Sequence, residues 1–426
     1  MLAARASTAR NIQRIARSFA TAVDTAGVKV ASVNYNQPTS SVTVLVKAGS
    51  RFETKDGVAN ALKNFAFKST AKRSAIGTVR ESELYGGVLS ASLGREYLAL
   101  SAEFLRGDEP FFVDLLTSFI TSAKFTRHEF EEYVLRLIEA DTEAAVENPT
   151  SRAIDVAHSL AFRSGLGKSL FAPAHNSLTV ADVKAFASSS FTKGNVAVLG
   201  TGIDQSTLSS LVEKAFASAP SASTTSSTSP TSYFGGETRL QSHHGPQTVF
   251  IGFGTTGSPS ASLAALSAHL SPAPSVKWSK GISSIATGIP EGTSVQTVYL
   301  PYSDASLFGL LVQGSTAAGV KEAGKVAVQA LKASASGLKE EDLKRAIAKA
   351  KFNAASASDN REGLVAALGS KILGGSDVTL ESSFSSLDAL NTSTFSKATS
   401  SLLASKPTYV VVGDAHALPF ADELGL

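Results

Sequence analysis

Asn60, Lys63 and Asn64 stand at i, i+3 and i+4, a spacing that puts three side chains on one face of an α-helix. Two imidazoles one turn apart on a helix bind zinc, and a glutamate beside them works as the general base. In this chain both imidazole positions hold amides, and the carboxylate position holds an ammonium. A neutral amide oxygen is a poor ligand for a borderline-soft ion. The Lys63 ammonium repels a cation and cannot take a proton while it already carries one. The spacing is that of a hydrolytic zinc site, and the residue types are not.

Other chemistry is sparse. The seven histidines are His128, His158, His175, His243, His244, His269 and His416, and none stands three to five residues from another. His243 and His244 are adjacent, so on a strand they point to opposite faces. The chain has no cysteine, which excludes disulfides, thiolate nucleophiles and cysteine metal sites. Gly200-Thr201-Gly202 follows a strand-like run but lacks the third glycine of a dinucleotide turn, with Gln205 where that turn would continue. No serine sits in a nucleophile-elbow pattern.

The elements that must position the Asn60 face read as follows. Val42, Val44 and Val46 alternate within a strand-like stretch from about Val28 to Arg51. After a turn at Asp56-Gly57, Val58, Leu62 and Phe65 repeat at helical spacing, and the helix is expected to run to about Ala71. Glu83 to Leu105 reads as strand, glycine turn, strand. Helices are expected over about Phe111–Ser122, over Arg127–Glu147 ending before Pro149, and over Thr179–Ser190 with Thr179 as N-cap. Asn195–Gly200 is a short apolar strand.

The residues around the altered motif carry a family resemblance. Gly49, Ser50, Arg51 and Glu53 precede it, and Phe65-Ala66-Phe67-Lys68-Ser69-Thr70 follows it. The segment resembles the zinc-motif region of the pitrilysin-type metallopeptidases, the M16 family of the mitochondrial processing peptidase. There the frame surrounds His-x-x-Glu-His, which here has become Asn60-Ala61-Leu62-Lys63-Asn64. The resemblance implies a third ligand in a later helix, for which Glu139, Asp141 and Glu143 are the candidates. It also implies a glycine-rich loop in peptide-binding subunits, but the corresponding stretch, Ser271 to Gly288, is serine- and proline-bearing. Both departures favour the non-catalytic core-subunit branch of the family. That branch implies a structural role in the mitochondrial respiratory chain at complex III, with no cofactor of its own. Its implied partners are a related core subunit, cytochrome b, cytochrome c1 and the Rieske protein, in an assembly peripheral to the inner membrane on its matrix side. The other reading is a presequence-binding, non-catalytic subunit of a processing peptidase.

Composition fits this reading. The chain has 426 residues, 43% hydrophobic and 18% charged, and no apolar run reaches the ~18 residues that span a bilayer. Residues 1–19 contain Arg5, Arg10, Arg14 and Arg17 and no acid. Arg10, Arg14 and Arg17 share a helical face opposite Ile12, Ile15 and Phe19, the pattern of a mitochondrial targeting peptide. Without those four arginines the formal net charge falls from +3 to −1, which leaves no general case for nucleic-acid binding.

The rest of the chain repeats itself. Glu129-Phe130 matches Asp342-Leu343, Thr179 matches Thr392, and Gly200 matches Gly413, each at an offset of 213. Val44 matches Val249 at an offset of 205. The chain is therefore expected to be two copies of one α+β module, each a mixed or antiparallel sheet covered by helices. The boundaries are residues 20–216 and 237–426, with a Ser/Thr/Pro-rich linker at 217–236 that has little to bury.

Overall fold

A computed structural model describes residues 23–33, 37–173, 177–217, 219–220, 230–274, 283–374 and 380–426. The basic segment 1–19, His175, half of the 217–236 linker and part of the Ser271–Gly288 stretch lie outside the described residues. The strands are β1 (Val23–Thr25), β2 (Val28–Val33), β3 (Thr39–Val46), β4 (Val88–Leu93), β5 (Leu98–Leu105), β6 (Val196–Thr201), β7 (Gly236–Gln241), β8 (Gln247–Thr256), β9 (Thr293–Pro301), β10 (Ala305–Gly314) and β11 (Thr408–Gly413). The helices of the first half are α1 (Val58–Asn64), α2 (Ala75–Leu84), α3 (Glu109–Ser122), α4 (residues 127–147), α5 (Pro149–Phe162), α6 (Val180–Ser190) and α7 (Gln205–Ala215). Those of the second half are α8 (Ala261–Leu270), α9 (Ser284–Gly288), α10 (Ala317–Ser336), α11 (Glu340–Ala357), α12 (Arg361–Gly374), α13 (Leu380–Asp388) and α14 (Thr392–Leu403).

The first sheet has the order β1-β2-β6-β3-β5-β4 and the second β7-β11-β8-β10-β9. In the first, only β2 and β6 run parallel; in the second, only β7 and β11. The two sheets are thus the same arrangement, with β1 as an additional edge strand in the first. The sequence offsets carry through to the register. Val44 pairs with Val198, and Val249 pairs with Val411, which are their counterparts at 205 and 213.

One face of each sheet is covered by helices of its own half. Val42, Val44 and Val46 face a core shared with Leu62, Phe65, Phe112, Leu116, Phe119 and Phe186. Val249, Ile251 and Phe253 face one shared with Leu266, Ala327, Leu331 and Phe395. The other faces are covered by an exchange. One compact unit comprises Met1–Ala140, Leu170–Thr228 and Ser358–Ser382; the other comprises Asp141–Ser169, Ser229–Ala357 and Ser383–Leu426. The units therefore depart from the contiguous halves 20–216 and 237–426, because α5 packs on β8 and β11 while α12 packs on β2, β3 and β6. The two helices are counterparts. Asn148 caps α5, accepting from the Thr150 and Ser151 amides, and Asn360 caps α12, accepting from the Gly363 amide.

Side-chain size explains how α5 settles. Ala153, Ala157 and Ala161 recur every four residues and form one smooth stripe. They share a cluster with Phe250, Leu307, Leu311, Val410 and Val412. The Phe250 ring lies over two glycines paired across strands, Gly252 and Gly309. A Cβ on Gly309 would stand 2.3 Å from that ring. On α12, Gly369 lies against Tyr97 and Leu45, and the Lys29 ammonium donates to the Leu373 carbonyl at 3.0 Å.

Several expected boundaries shift. The first helix ends at Asn64 rather than Ala71, and a separate helix, α2, follows from the Ser74 cap, whose Oγ accepts from the Gly77 amide at 3.1 Å. Glu83 and Leu84 belong to α2, so the strand begins only at Val88. Helix α4 spans 127–147 as expected but contains a π-helical stretch, Phe130–Val134. A π turn holds one residue more than its α equivalent. That residue accounts for the step in offset from 213 at Phe130–Leu343 to 212 at Asn148–Asn360. Thr179 does cap α6 with a capping box, and its structural counterpart is the capping-box residue Asn391, not Thr392.

Phe250→Ala should cost about 3–5 kcal/mol, the range for emptying an aromatic site in a close-packed interior. Denaturant unfolding of the purified chain checks this. Hydrogen exchange should place the loss in β8, β10 and α5, and unchanged protection there would contradict the account.

Candidate functional site

Helix α1 is short, and its entry is built from charged groups withdrawn from water. Gly57, at φ 85°, provides the left-handed turn before the helix, a conformation glycine adopts without strain. Glu53 Oε2 accepts from the Gly57 amide at 3.2 Å and the Ala59 amide at 3.4 Å. A carboxylate there satisfies donors that the first helical turn leaves unbonded and matches the helix dipole. Arg51, five residues after Val46, which pairs with Leu98 across the sheet, meets Glu96 at 2.9 Å. Both side chains are less than a tenth exposed. Gly49 presses on the backbone of Arg95, where a Cβ would stand 2.3 Å from the carbonyl oxygen.

The residues after the helix are held from α4. Phe65 stacks on Phe130 at 6.0 Å and meets Phe125 edge-on at 5.2 Å. The Ser69 amide donates to Glu129 Oε1 at 3.0 Å, and the Thr126 hydroxyl donates to Glu129 Oε2 at 2.7 Å. Burial alone would raise the Glu129 carboxyl, but these bonds and the charge of Lys68 outweigh it and hold it below the usual range. A bridge between Thr70 and Ala123 closes the turn.

Within this frame the structure brings Asn60 and Asn64 together. Asn64 Nδ2 donates to Asn60 Oδ1 at 2.8 Å, and Asn60 Nδ2 donates to the Leu170 carbonyl at 3.2 Å. Asn60 is buried and Asn64 half-buried. The one oxygen that Asn60 could offer a cation is thus already an acceptor. Lys63, half-buried on the same face, adds a positive charge. The zinc that the spacing calls for does not fit these donors. On α4, Glu139 and Glu143 are exposed, and Asp141 is half-buried on the side of Val134, Ile138 and Ala145. Among the described residues, no three His, Cys, Asp or Glu side chains gather closely enough to hold a metal ion.

The histidines sit elsewhere. His158 is fully buried in α5, with Nδ1 2.7 Å from the Ile154 carbonyl oxygen and Nε2 2.7 Å from the Tyr302 hydroxyl. A carbonyl only accepts, so Nδ1 carries the proton and Tyr302 donates to Nε2. His269 is pushed down by burial. His128 lies 3.0 Å from Glu132 on the outside of α4, and His243, His244 and His416 are exposed. Sequence reasoning missed the capping role of Glu53 and the anchoring role of Glu129. The signal was present for Glu53, a carboxylate four residues ahead of a glycine that opens a helix.

Two relations tie α1 to its neighbours, and both can be measured. Removing one partner of a buried ion pair leaves the other charge uncompensated. Glu96→Gln should therefore cost about 3–5 kcal/mol, whereas Arg51→Met with Glu96→Leu should cost less than either single change. Denaturant unfolding of the three variants tests this, and an additive double variant would overturn it. Lys55 donates to Asp182 Oδ2 at 2.9 Å, joining the turn before α1 to the start of α6. Hydrogen bonds from Lys55 and Thr179 lower the Asp182 carboxyl from 3.8 to about 2. Because the folded value lies below the unfolded one, this contribution is full above pH ~4 and lost as pH falls through about 2. A carboxyl-carbon NMR titration should place the Asp182 midpoint near 2, and Lys55→Met should return it toward 3.8.

Residues 29–174 match the family described as Insulinase (Peptidase family M16). Over its whole length the chain is similar to a set of mitochondrial proteins. It is 44% identical to the cytochrome b-c1 complex subunit 2 of Cryptococcus neoformans var. grubii, covering 99% of this chain and 98% of that protein. The subunit 2 of Yarrowia lipolytica is 36% identical, covering 97% of this chain and 99% of that protein. The human subunit 2 is 26% identical, covering 93% and 90% respectively.

Proposed function

Because the chain belongs to the M16 peptidase family, in the branch whose members are named cytochrome b-c1 complex subunit 2, we propose that it is a structural core subunit of mitochondrial ubiquinol–cytochrome c reductase. The observation that carries this is the 44% identity to such a subunit over nearly the full length of both chains. The chain contributes to electron transfer by supporting the assembled complex. Its partners are the related core subunit 1, cytochrome b, cytochrome c1 and the Rieske protein. It sits at the matrix side of the inner membrane, attached through those partners. Among the described residues, no helix is long and apolar enough to cross a membrane, which agrees with attachment of that kind.

The chain has no zinc peptidase activity in this reading. A hydrolytic zinc site needs two imidazoles and a base, and here Asn60 and Asn64 bond each other while Lys63 brings a positive charge. Their chemistry is that of a satisfied helix face.

Deleting the gene should remove the assembled complex from native gels and abolish ubiquinol–cytochrome c reductase activity. Lys63→Met should leave both at the unaltered level. If the deletion spared the complex, the scaffold role would be wrong. If Lys63→Met abolished activity while the complex remained, the motif would have a chemical role after all.

A further inference from the structure

The chain passes between its two compact units at residues 140/141, 169/170, 228/229, 357/358 and 382/383. The first two passages lie in the first half and bracket α5. The last two lie in the second half and bracket α12. Only the passage at 228/229 lies in the linker. Each half is therefore built into both units, whatever joins residue 228 to residue 229.

Helix α5 is fastened to second-half residues along its whole length. At its start, Gln313 Nε2 donates to the Thr150 hydroxyl at 3.0 Å. In its middle, Tyr302 donates to His158 Nε2 at 2.7 Å. At its end, the Phe234 amide donates to the Ala161 carbonyl at 2.9 Å, and the Arg163 guanidinium lies 4.0 Å from the centre of the Phe234 ring. Between these bonds the Ala153, Ala157 and Ala161 stripe covers Phe250, Leu307, Leu311, Val410 and Val412, all fully buried. The reverse fastening is lighter. Leu364 and Ile372 of α12 are buried, and Lys29 donates to the Leu373 carbonyl at 3.0 Å.

The described ends of the linker are each fixed to their own side. Ala219 is buried in the first core, and the Lys193 amide donates to the Pro220 carbonyl at 3.1 Å. The Thr231 amide and hydroxyl both donate to Asp304 Oδ2, at 3.1 and 2.9 Å. A break between those anchors leaves each with its own half. Parting the halves themselves is another matter. It would bare five apolar side chains together on one face of the second sheet, the kind of patch that draws aggregation. The first sheet would lose its cover from a face lined by the Thr43, Ser101, Ser41 and Thr201 hydroxyls, which is a smaller loss.

We propose that the two halves recognise each other through the exchanged helices and not through the covalent linker, so that residues 1–224 and 225–426 made as separate chains assemble into one subunit. The seat of α5 on the second sheet is the stronger of the two contacts and carries the recognition. The linker raises the effective concentration of one half at the other and is otherwise dispensable. One readout below rests on the reading of the chain as a subunit of a multi-protein complex; the other does not.

The test keeps every residue of the chain and breaks one peptide bond, between Thr224 and Thr225. Cells lacking the gene receive the two pieces as separate genes, each behind residues 1–22, with an affinity tag on the first piece. The first piece should retrieve the second in equal amount, and native gels should show the complex at no less than half the level that the unbroken chain gives. Neither piece alone should give any complex, and residues 225–426 alone should be degraded at least tenfold faster than beside their counterpart. Ala157→Glu in the first piece should lower retrieval at least tenfold, because it sets a carboxylate against an apolar seat; Lys184→Glu, on the exposed side of α6, should not. Hydrogen exchange in β3 and β5 of the Ala157→Glu piece should match that of the unaltered first piece, which separates a lost contact from a lost fold. Pieces that fail to meet where the unbroken chain assembles would overturn the proposal. So would one piece that forms the complex alone, or retrieval indifferent to Ala157→Glu. If the unbroken chain itself gave no complex, the assembly reading would fall, and retrieval of one piece by the other would still decide whether the halves interlock.

Discussion

The meeting of Gly49 with the backbone of Arg95 sets the position of everything around α1. A Cβ at residue 49 would stand 2.3 Å from the Arg95 carbonyl oxygen and 2.5 Å from the Glu96 nitrogen. Only that closeness lets the Arg51 amide reach the Arg95 carbonyl at 2.8 Å, and lets the Arg51 guanidinium reach Glu96. Glu53, two residues on, is then placed to cap the helix. The result is a run of buried charges, with Arg51 paired to Glu96 in the turn between β4 and β5 and Glu53 bonded to amides at the start of α1. Such groups are tolerated inside only when paired, and loss of one partner exposes the full desolvation cost of the other. The frame is thus a folding device. It holds a helix in place whatever residues that helix presents at positions 60, 63 and 64.

This separation explains how a peptidase frame can surround a helix with no peptidase chemistry. The glycine, the arginine and the glutamate answer to packing and to buried charge. The metal ligands answer to a cation, and without one the face must satisfy itself. Asn64 donating to Asn60, and Asn60 donating to Leu170, does that within the chain. Side chains that bond each other one turn apart need no third component, whereas a pair of imidazoles in the same place would leave two lone pairs directed at a common point.

Much of the fold could be read from the sequence, because repeated strands repeat their alternation. Val44 and Val249 were matched by pattern, and their pairing with Val198 and Val411 follows from the two offsets. The α1 face and the Thr179 cap were readable for the same reason, since both depend on local spacing. What could not be read depends on distant residues. Nothing in Ala153, Ala157 and Ala161 says which sheet lies under them, because a stripe of alanines fits any flat apolar surface. The answer lies in Phe250 with Gly252 and Gly309, about a hundred residues and more away along the chain. The π turn at Phe130–Val134 is one residue in twenty-one, and its only trace in the sequence is a single step in the offset between the two halves. Helix α2 was missed because Ile76, Val79 and Leu84 are exposed, so its apolar residues do not mark a buried stripe.

The exchange of α5 and α12 has a consequence for how the duplicated module is built. A module that covered both faces of its sheet from its own segment could fold from that segment alone. Here each half supplies one covered face to itself and the second cover to its counterpart. The two covers are chemically distinct. Under α5 the sheet is mostly apolar, with Phe250, Leu311 and Val412, and at its edge Gln313 Nε2 donates to the Thr150 hydroxyl of α5 at 3.0 Å. On the matching face of the first sheet, hydroxyls bond each other, Thr43 with Ser101 at 2.8 Å and Ser41 with Thr201 at 2.7 Å. An alanine-faced helix suits the first surface through close packing. A hydroxyl-lined surface gains less from apolar contact, and there α12 adds a directed bond from Lys29 to the Leu373 carbonyl. The two copies have kept one topology while diverging in what holds the exchanged helix. That difference gives α5 and α12 distinct seats, so the duplicated sheets do not offer either helix two equivalent places to bind.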